Sequence, residues 1–431
     1  MRFAGQVQTA IEVLEGIEKS PLPADRFMGV FFKPRRYIGS SDKGVVANLV
    51  YDTLRHKAAL GYVLGHARLK STPRTLVLAH LVRSADGVPP VADIFTGERF
   101  APAALTAEEA AALPALKAAD LQKAPTHVLG NFPDWLLPHL TAAFGDSLLA
   151  EVAALTGRAA TDLRVNTLKT TRAALEDTLH TLGYPVVPTP YSPLGLRLPD
   201  RRPLFGLEPF QQGHFEIQDE GSQILALLAG ASPKMRVVDF CAGAGGKTLV
   251  LAAQMRNKGR IDACDVVADR LTDLRPRLAR AGADNVQVHV LSSERDAWVK
   301  HHKEQADVVL LDVPCTGTGT WRRSPDSKWR LTPDTLSNVC ATQASILDSA
   351  SRLVKPGGRL VYATCSVLPA ENHEQVTAFL ARTPDFSLRP MPDEWAAHLG
   401  PTCPVTTPML QLTPLRHGTD GFFAAVLQKK A

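Results

Sequence analysis

The sequence has few aromatic residues, few cysteines and no long apolar run. Phe, Trp and Tyr make up 6% of the 431 residues, and no stretch reaches the roughly 18 consecutive apolar residues that a membrane helix needs. The segment from Met1 to Ser20 contains Glu12, Glu15 and Glu18, so it lacks the apolar core of a secretory signal. We therefore expect a cytoplasmic protein without a membrane segment.

The six cysteines are scattered and include no Cys-x-x-Cys pair. This spacing disfavours a zinc site and a disulfide framework, so we predict reduced thiols and no metal site. The net charge of +5, from 48 basic and 43 acidic residues, is compatible with a polyanionic partner but is weak evidence for one. An apolar fraction of 45% is enough for buried cores.

The pattern of residues divides the chain into three regions. Residues 1–150 show helical periodicity, with Ser41-Asp42 and Thr106-Ala-Glu-Glu109 as expected helix N-termini. Residues 151–215 combine short strands with one helix and predict a small α+β subdomain. Residues 216–431 alternate strand and helix patterns, which predicts an α/β fold with a doubly wound, mainly parallel sheet.

Individual elements of the third region are predicted from apolar runs and helical periodicity. Strands are expected at 235–240, 260–265, 286–291, 306–312 and 359–365. Helices are expected at 218–229, 246–256, 267–281, 333–354 and 369–382. The segments 409–412 and 422–427 are expected to form an antiparallel hairpin that closes the sheet.

A glycine-rich turn, Asp239-Phe-Cys-Ala-Gly-Ala-Gly-Gly-Lys-Thr248, follows the first of these strands. Such a turn lets a ligand approach the backbone and the N-terminus of the next helix. The spacing fits neither a phosphate-binding P-loop nor a dinucleotide fingerprint. It leaves S-adenosylmethionine as the third candidate, and Asp265, at the end of the next strand, is placed to bind ribose hydroxyls.

Two other strands are followed by cysteines, Cys315 after Asp312-Val-Pro and Cys365 after Ala-Thr. Both thiols should emerge at the sheet edge that binds ligands in open α/β folds. Cys264 and Cys340 are instead expected to act as small buried hydrophobic residues. A thiolate next to S-adenosylmethionine suits carbon 5 of cytosine, because attack at carbon 6 makes carbon 5 nucleophilic.

Taken together, the motifs of the chain resemble the Fmu/Sun family of RNA cytosine-5 methyltransferases. The matching stretches are Ile217–Gln223, Asp239–Thr248, Asp265 with Arg270, Leu310–Gly317, Arg323–Trp329, Tyr362–Ser366, Glu371-Asn372 and Asp420–Phe423. The resemblance implies a class I, Rossmann-like methyltransferase domain at 216–431, preceded by an RRM-like subdomain at 151–215. More weakly, residues 1–150 are similar to the NusB-type RNA-binding domain of the bacterial 16S ribosomal RNA enzymes.

The resemblance also implies roles for individual residues. Cys365 would be the nucleophile, Cys315 would assist product release, Asp312 would bind the cytosine edge, and Lys247 would contact the base carbonyl. The cofactor set would be Cys241, Ala242, Gly243, Ala244, Gly245, Gly246, Lys247, Asp265, Arg270, Ser293 and Asp312. The cofactor would be S-adenosylmethionine.

The chain departs from the family pattern at two positions. Gly243-Ala244 replaces the usual Ala-Pro of the turn. Ser293 stands nearest to the place of an aspartate that contacts the adenine side of the cofactor. The departure at Ser293 puts that contact in doubt, and Glu294 is the alternative.

The implied partner is RNA, most specifically 16S ribosomal RNA, bound by a monomer. Candidate phosphate contacts are Lys33, Arg35, Arg36, Arg322, Arg323, Lys328 and Arg330, although a solvated basic surface explains Lys33 to Arg36 equally well. Candidate stacking residues are Trp321 and Trp329, for each of which core packing is at least as strong an interpretation. Alternative functions are a non-catalytic ribosome-assembly factor on the same scaffold and a cytosine-5 methyltransferase of transfer RNA. A methyltransferase of small molecules or proteins is disfavoured, because oxygen and nitrogen nucleophiles need no thiol.

Overall fold

A computed structural model describes residues 1–84, 88–200 and 202–431. The N-terminal part is helical. Its helices are α1 (Phe3–Lys19), α2 (Ala24–Phe32), α3 (Ser40–Arg55), α4 (Lys57–His66), α5 (Pro73–Arg83), α6 (Val91–Ile94), α7 (Ala107–Ala118), α8 (Thr126–Leu129), α9 (Leu137–Phe144) and α10 (Leu148–Thr156). Among the described residues, no helix is both long and apolar enough to span a membrane.

Two predicted helix starts have different outcomes. Thr106 accepts a hydrogen bond from the Glu109 N–H while the Glu109 side chain accepts one from the Thr106 N–H, so the predicted capping box is confirmed. The predicted cap at Ser41-Asp42 is wrong. Helix α3 begins at Ser40 without a side-chain cap, and the Asp42 carboxylate instead accepts from the Gln6 amide at 2.8 Å.

A small four-stranded sheet follows. It contains β1 (Thr161–Val165), β2 (Val187–Pro188), β3 (Gly195–Leu198) and β4 (Phe215–Ile217), with helices α11 (Arg172–Thr181) and α12 (Glu208–Gln211). The strand order is β2-β3-β1-β4, and every pairing in it is antiparallel. Leu163, Leu175, Leu179 and Phe215 pack into its core.

The remainder builds a larger α/β layer. Its strands are β5 (Arg236–Asp239), β6 (Arg260–Asp265), β7 (Val286–Val290), β8 (Ala306–Asp312), β9 (Val354–Thr364), β10 (Phe386–Arg389), β11 (Leu410–Leu412) and β12 (Phe422–Lys429). Its helices are α13 (Glu220–Leu227), α14 (Gly246–Gln254), α15 (Ala268–Ala281), α16 (Ala297–His301), α18 (Pro333–Ala350), α19 (His373–Arg382), α20 (Met391–His398) and α21 (Pro414–His417). Helix α17 (Ser327–Arg330) lies between α16 and α18 in the sequence but belongs to the helical unit.

The larger sheet runs in the order β10-β12-β9-β8-β5-β6-β7, with β11 paired to β12. Strands β5 to β9 are parallel to one another, and β12 is antiparallel to β9. Successive residues of β8 bury against opposite faces, Val308 and Leu310 on one side and Val309 and Leu311 on the other. This is the class I, Rossmann-like fold, and the alternating pattern of the sequence predicted its central strands.

The chain forms two compact units, and their boundary differs from the predicted one. The first unit comprises residues 1–157 together with 321–331, a segment that the sequence assigned to the third region. The second comprises 158–320 and 332–431. Within the first unit, Trp321 is buried and Trp329 packs on the helical core, so apolar burial places this segment with the helices.

Candidate active site

The glycine turn after β5 forms one wall of a cavity of about 740 Å³ in the second unit. Gly243 and Gly245 have positive φ angles of 54° and 81°, which glycine adopts without a Cβ penalty. A Cβ on Gly245 would lie 2.0 Å from Cδ1 of Leu274 in α15, whereas one on Gly243 would meet no atom within 4 Å. Gly245 is therefore needed for packing, and Gly243 leaves backbone open to a ligand.

Most of the predicted cofactor residues line this cavity. They are Cys241, Ala242, Gly243, Ala244, Gly246, Lys247, Asp265, Arg270 and Asp312. Gly245 is buried behind the turn. Of the described residues near the end of β7, Leu291 and Glu294 line the cavity, whereas Ser293 does not. The Glu294 carboxylate accepts from the Ser345 hydroxyl at 2.6 Å, and this hydrogen bond lowers its pKa.

Asp265 links the glycine turn to the loop after β6. Its two carboxylate oxygens accept from the N–H groups of Gly243 and Val267, each at 2.8 Å. The side chain is 6% exposed and faces the cavity. Each carboxylate oxygen has a further lone pair for a ligand hydroxyl, so the geometry suits the predicted ribose contact.

Asp239 is a cavity residue that the motif comparison did not assign. It lies at the carboxyl end of β5 and is fully buried. Thr248 donates to its Oδ2 at 2.6 Å, but Oδ1 has no hydrogen-bond partner among the described residues. Burial raises the pKa of Asp239 to about 7. A buried carboxylate oxygen without a partner is costly, so this position favours a cationic or hydrogen-bond-donating ligand group.

Two arginines hold the carbonyl groups of the turn. Arg164 of β1 donates to the Gly246 carbonyl at 2.5 Å, and Arg277 of α15 donates to the Ala244 carbonyl at 2.6 Å. Glu216 of β4 pairs with Arg277 at 3.0 Å. The small sheet thus contributes directly to the shape of the glycine turn, a role that no local sequence pattern indicates.

Lys247 and Asp312 form a pair at the floor of the cavity. The Lys247 ammonium donates to Asp312 Oδ2 at 2.5 Å. Lys247 lies in the first turn of α14, the helix after β5, and Asp312 ends β8, the strand that is paired in parallel with β5. The Asp312 side chain remains 32% exposed, so the pair can present both a donor and an acceptor to a substrate.

Cys315 and Cys365 both line the same cavity. Strands β8 and β9 are parallel neighbours with Asp312 opposite Ala363, and this register brings the two thiols together. Their sulfur atoms lie 3.2 Å apart, and both cysteines are free. The hydrogen bond to Cys365, together with burial, raises the pKa of Cys315 well above its usual range. Cys315 is therefore a thiol at neutral pH and can donate to the Cys365 sulfur.

The other cysteines are in settings that favour the neutral thiol. Burial raises the pKa of Cys241, Cys264, Cys340 and Cys403. Cys264 lies within β6 and is fully buried, as predicted for a structural cysteine. A raised pKa lowers the thiolate fraction and hence the reactivity.

Two glycines explain why the Asp420–Phe423 motif accompanies the cysteines. The Gly319 N–H donates to the Cys365 carbonyl at 2.9 Å, and the Gly421 N–H donates to the Gly319 carbonyl at 2.8 Å. A Cβ on Gly319 would lie 2.0 Å from the Gly421 oxygen. This close backbone approach holds the Cys365 loop and admits no side chain at either glycine.

The predicted RNA contact of Lys328 is wrong, and for Trp321 and Trp329 the structure favours the alternative of core packing. Lys328 is fully buried and donates to the Arg55 carbonyl at 3.2 Å, and burial lowers its pKa to about 7. Trp321 is 1% exposed, and the Trp329 indole donates to the Leu54 carbonyl at 2.7 Å. These side chains pack within the first unit, where neither stacking on a base nor binding a phosphate is open to them.

Two of the other basic candidates are held by backbone carbonyls. The guanidinium of Arg330 donates to the carbonyls of Ser20 and Leu22, and that of Arg35 donates to Phe31 at 2.8 Å. Lys33 and Arg36 are exposed.

Comparison with known proteins places this geometry in a family. Residues 226–428 match the family model described as 16S rRNA methyltransferase RsmB/F, and residues 132–204 match the model of an RsmF/B-like ferredoxin-like domain. The probable ribosomal RNA small subunit methyltransferase B of Synechocystis is 36% identical over 69% of this chain and 67% of that protein. The chain belongs to the RsmB/F methyltransferase family.

One further relative and one solved structure match over nearly the whole length, and another structure matches over part of it. The probable ribosomal RNA small subunit methyltransferase B of Bacillus subtilis is 28% identical over 98% of both chains. The crystal structure of PH0851 has a TM-score of 0.79 and 25% identity, and covers 99% of both chains. A methyltransferase homologue from Pyrococcus horikoshii has a TM-score of 0.61 at 29% identity, over 70% of this chain and 97% of its own.

The cofactor of this RsmB/F methyltransferase is S-adenosylmethionine. A structure with the same fold, NSun6 from Pyrococcus horikoshii, was solved with SFG, an analogue of this cofactor. The residues that line the cavity are chemically suited to such a ligand. Its wall combines open backbone at Gly243, the carboxylates of Asp265 and Glu294, and the unpartnered buried oxygen of Asp239. S-adenosylmethionine carries the hydroxyl and cationic groups that these atoms can bind.

Proposed function

We propose that this chain transfers a methyl group from S-adenosylmethionine to carbon 5 of a cytosine in RNA, through a covalent Cys365 adduct. The observation that carries the proposal is the pair of cysteine sulfurs, 3.2 Å apart on the wall of the cofactor cavity. Methyl transfer to oxygen or nitrogen requires no thiol. Carbon 5 of cytosine does require one, because it becomes nucleophilic only after addition at carbon 6.

The reaction proceeds by addition and elimination on the base. The Cys365 thiolate forms a bond to carbon 6, and the electron pair of the carbon 5–carbon 6 double bond makes carbon 5 nucleophilic. Carbon 5 gains the methyl group, and S-adenosylhomocysteine would be the leaving group. Carbon 5 then loses its hydrogen as a proton, the electron pair of that bond restores the double bond, and the carbon 6–sulfur bond breaks to return Cys365 as thiolate. The net change replaces one hydrogen by methyl and releases one proton. Cys315 assists the release, because its thiol faces the departing sulfur.

Lys247 and Asp312 orient the cytosine. Lys247 donates to the base carbonyl, and Asp312 accepts from the exocyclic amine, so the pair reads the edge that distinguishes cytosine from uracil. Their mutual ion pair at 2.5 Å holds both side chains in place before the base arrives. Preorganisation of this kind reduces the entropy lost on binding.

The cofactor residues follow from the wall of the cavity. Asp265 would hold the ribose hydroxyls, the amides of the 241–247 turn and the Asp239 carboxylate would hold the methionine end, and Arg270 would lie along the nucleoside. Glu294, whose carboxylate lines the cavity, would replace Ser293 on the adenine side. S-adenosylmethionine supplies the methyl group when bound.

We also propose that the RNA is 16S ribosomal RNA and that the helical part binds it. Support for the substrate comes from the description of the family model and from the names of the relatives. Support for RNA binding comes from Lys33 and Arg36, which are exposed on one short segment. The target cytosine must leave its stack to reach the thiols, so a single-stranded or flipped base is required.

The proposal is tested by incubating the purified protein with S-adenosylmethionine and unmodified 16S ribosomal RNA. Nucleoside mass spectrometry and bisulfite sequencing should both report 5-methylcytosine at a fixed position. A Cys340→Ala variant serves as a control that retains the site. A methyl group found on another atom, or none on any RNA despite cofactor binding, would contradict the proposal.

A further inference from the structure

A fully buried carboxylate joins the loops that carry the two cysteines. Glu371 Oε1 accepts from the Thr316 N–H at 2.7 Å, and Glu371 Oε2 accepts from the Thr316 hydroxyl at 2.5 Å. Glu371 Oε2 also accepts from the Ser366 hydroxyl. Thr316 directly follows Cys315, and Ser366 directly follows Cys365. One side chain therefore bonds to the residue after each thiol.

Two neighbouring amides hold the residues before the thiols. Gln343 of α18 donates to the Pro314 carbonyl at 3.0 Å and to Glu371 Oε1 at 3.1 Å. Asn372 accepts from the Thr364 hydroxyl at 2.6 Å and donates to the Ser366 carbonyl at 2.9 Å. Each cysteine is thus fixed on both sides.

The chemistry of Glu371 suits a clamp, by which we mean a side chain that links the Cys315 and Cys365 loops, better than a residue that only fills the core. Its side-chain partners are neutral donors, and no ion pair involves it within the part of the chain that the structure describes. A buried carboxylate without a cationic partner costs stability. The acceptor-only carboxylate can nevertheless satisfy four donors at once, which glutamine cannot do because its amide nitrogen only donates.

We propose that Glu371 is a positioning residue that sets the separation of the Cys315 and Cys365 sulfurs. The catalytic consequence of this positioning rests on the proposed function. In that function, Glu371 holds the Cys315 thiol beside the Cys365 sulfur for the release step that follows methyl transfer. The contact itself is independent of RNA. Replacing the carboxylate by an amide turns one acceptor into a donor that opposes the Thr316 or Ser366 donors, so the two loops should separate.

The first test measures sulfur proximity without RNA. Diamide, a thiol oxidant, should join Cys315 to Cys365 in the wild-type protein, with a mass loss of two hydrogens, and a Cys315→Ala variant should lack this product. In Glu371→Gln the disulfide should form at least about tenfold more slowly, since small displacements strongly affect such proximity reactions. Glu374→Gln, which changes an exposed carboxylate three residues later, should match the wild type. Equal rates in Glu371→Gln and Glu374→Gln would overturn the proposal.

The second test measures the consequence in the reaction. Glu371→Gln should lower kcat at unchanged KM for RNA and unchanged cofactor affinity, and it should accumulate the Cys365–RNA adduct. A uniform fall of kcat, cofactor affinity and melting temperature would instead indicate a merely structural role and refute the proposal.

A milder variant covers the case in which Glu371→Gln fails to fold. Thr316→Val removes one of the hydrogen bonds to Glu371 and should slow disulfide formation by a smaller factor; unchanged kinetics would count against the clamp. If disulfide formation slows as expected but no RNA is methylated by the wild type, the clamp stands and the proposed function fails.

Discussion

The sulfur atoms of Cys315 and Cys365 lie 3.2 Å apart, although fifty residues separate them in the sequence. They meet because β8 and β9 are adjacent parallel strands, so the loops after both strands leave the sheet at the same edge. Either sulfur can be the donor in this contact, and the contact together with burial raises the pKa of Cys315. The pairing of the two cysteines underlies the first two predictions.

Replacement of Cys365 by alanine should abolish methyl transfer. The neighbouring sulfur, Cys315, is a poor substitute for the addition at carbon 6, because its raised pKa lowers its thiolate fraction. Cofactor binding, measured by calorimetry, should stay within about twofold of the wild type, since a neutral substitution beside the cofactor changes the free energy by only a few tenths of a kcal/mol. Transfer at the wild-type rate would show that Cys365 is not the nucleophile.

Replacement of Cys315 by alanine should trap the adduct. Addition and methyl transfer still occur through Cys365, but release is slowed. The trapped species should appear as a protein–RNA band of reduced mobility on a denaturing gel, and it should vanish in the Cys315→Ala, Cys365→Ala double variant. If Cys315→Ala methylates its RNA substrate with normal turnover and no shifted band appears, the role of Cys315 in release would be contradicted.

Asp265→Asn should weaken cofactor binding by about tenfold to a hundredfold, the range expected for a lost hydrogen bond to a charged group. The substitution removes the carboxylate that also holds the Gly243 and Val267 N–H groups. Asp269→Asn, an exposed change in the first turn of α15, is the matched control. Calorimetric titration with S-adenosylmethionine measures both, and similar affinities in the two variants would exclude the assigned role.

Asp239→Asn should remove a pH-dependent loss of stability. The folded pKa of Asp239, about 7, is above its ordinary value of 3.8, so between these values the folded state binds more protons than the unfolded state. Stability of the wild type therefore falls as pH rises from about 4 to about 7 and levels off above that. In urea denaturation without cofactor, the free energy of unfolding of Asp239→Asn should increase relative to that of the wild type as the pH rises from 5 to 8. The same variant should bind the cofactor more weakly. A stability difference independent of pH would contradict the assignment.

Lys328→Met should leave RNA binding and its salt dependence unchanged, because the ammonium is buried within the first unit. In contrast, Lys33→Gln and Arg36→Gln, at exposed positions, should each reduce the slope of log affinity against log salt by about 0.7. Filter binding at several salt concentrations provides the measurement. A slope lowered by Lys328→Met to the same extent would show that the segment 321–331 reaches RNA after all.

The sequence predicted the elements of the larger sheet closely, because strands buried on both faces appear as nearly continuous apolar runs. Sequence-based prediction was less successful for the role of the segment 321–331. There the motif Arg323–Trp329 is basic and aromatic, which favours RNA binding by composition, whereas the structure buries Trp321 and Lys328 with the helices. Composition does not distinguish a solvated cation from one that bonds to a backbone carbonyl, since that depends on a partner far away in the chain.

By itself, the sequence indicated the candidate site residues, because glycines, carboxylates and cysteines at strand ends are local features with local spacing. Tertiary structure alone decided how they act together. The contact between the two sulfurs follows from strand order, the unpartnered oxygen of Asp239 follows from burial, and the link from Glu371 to both cysteine loops follows from the packing of β9 and the residues after it. Each of these depends on distances across the fold, which a linear pattern of residues does not encode.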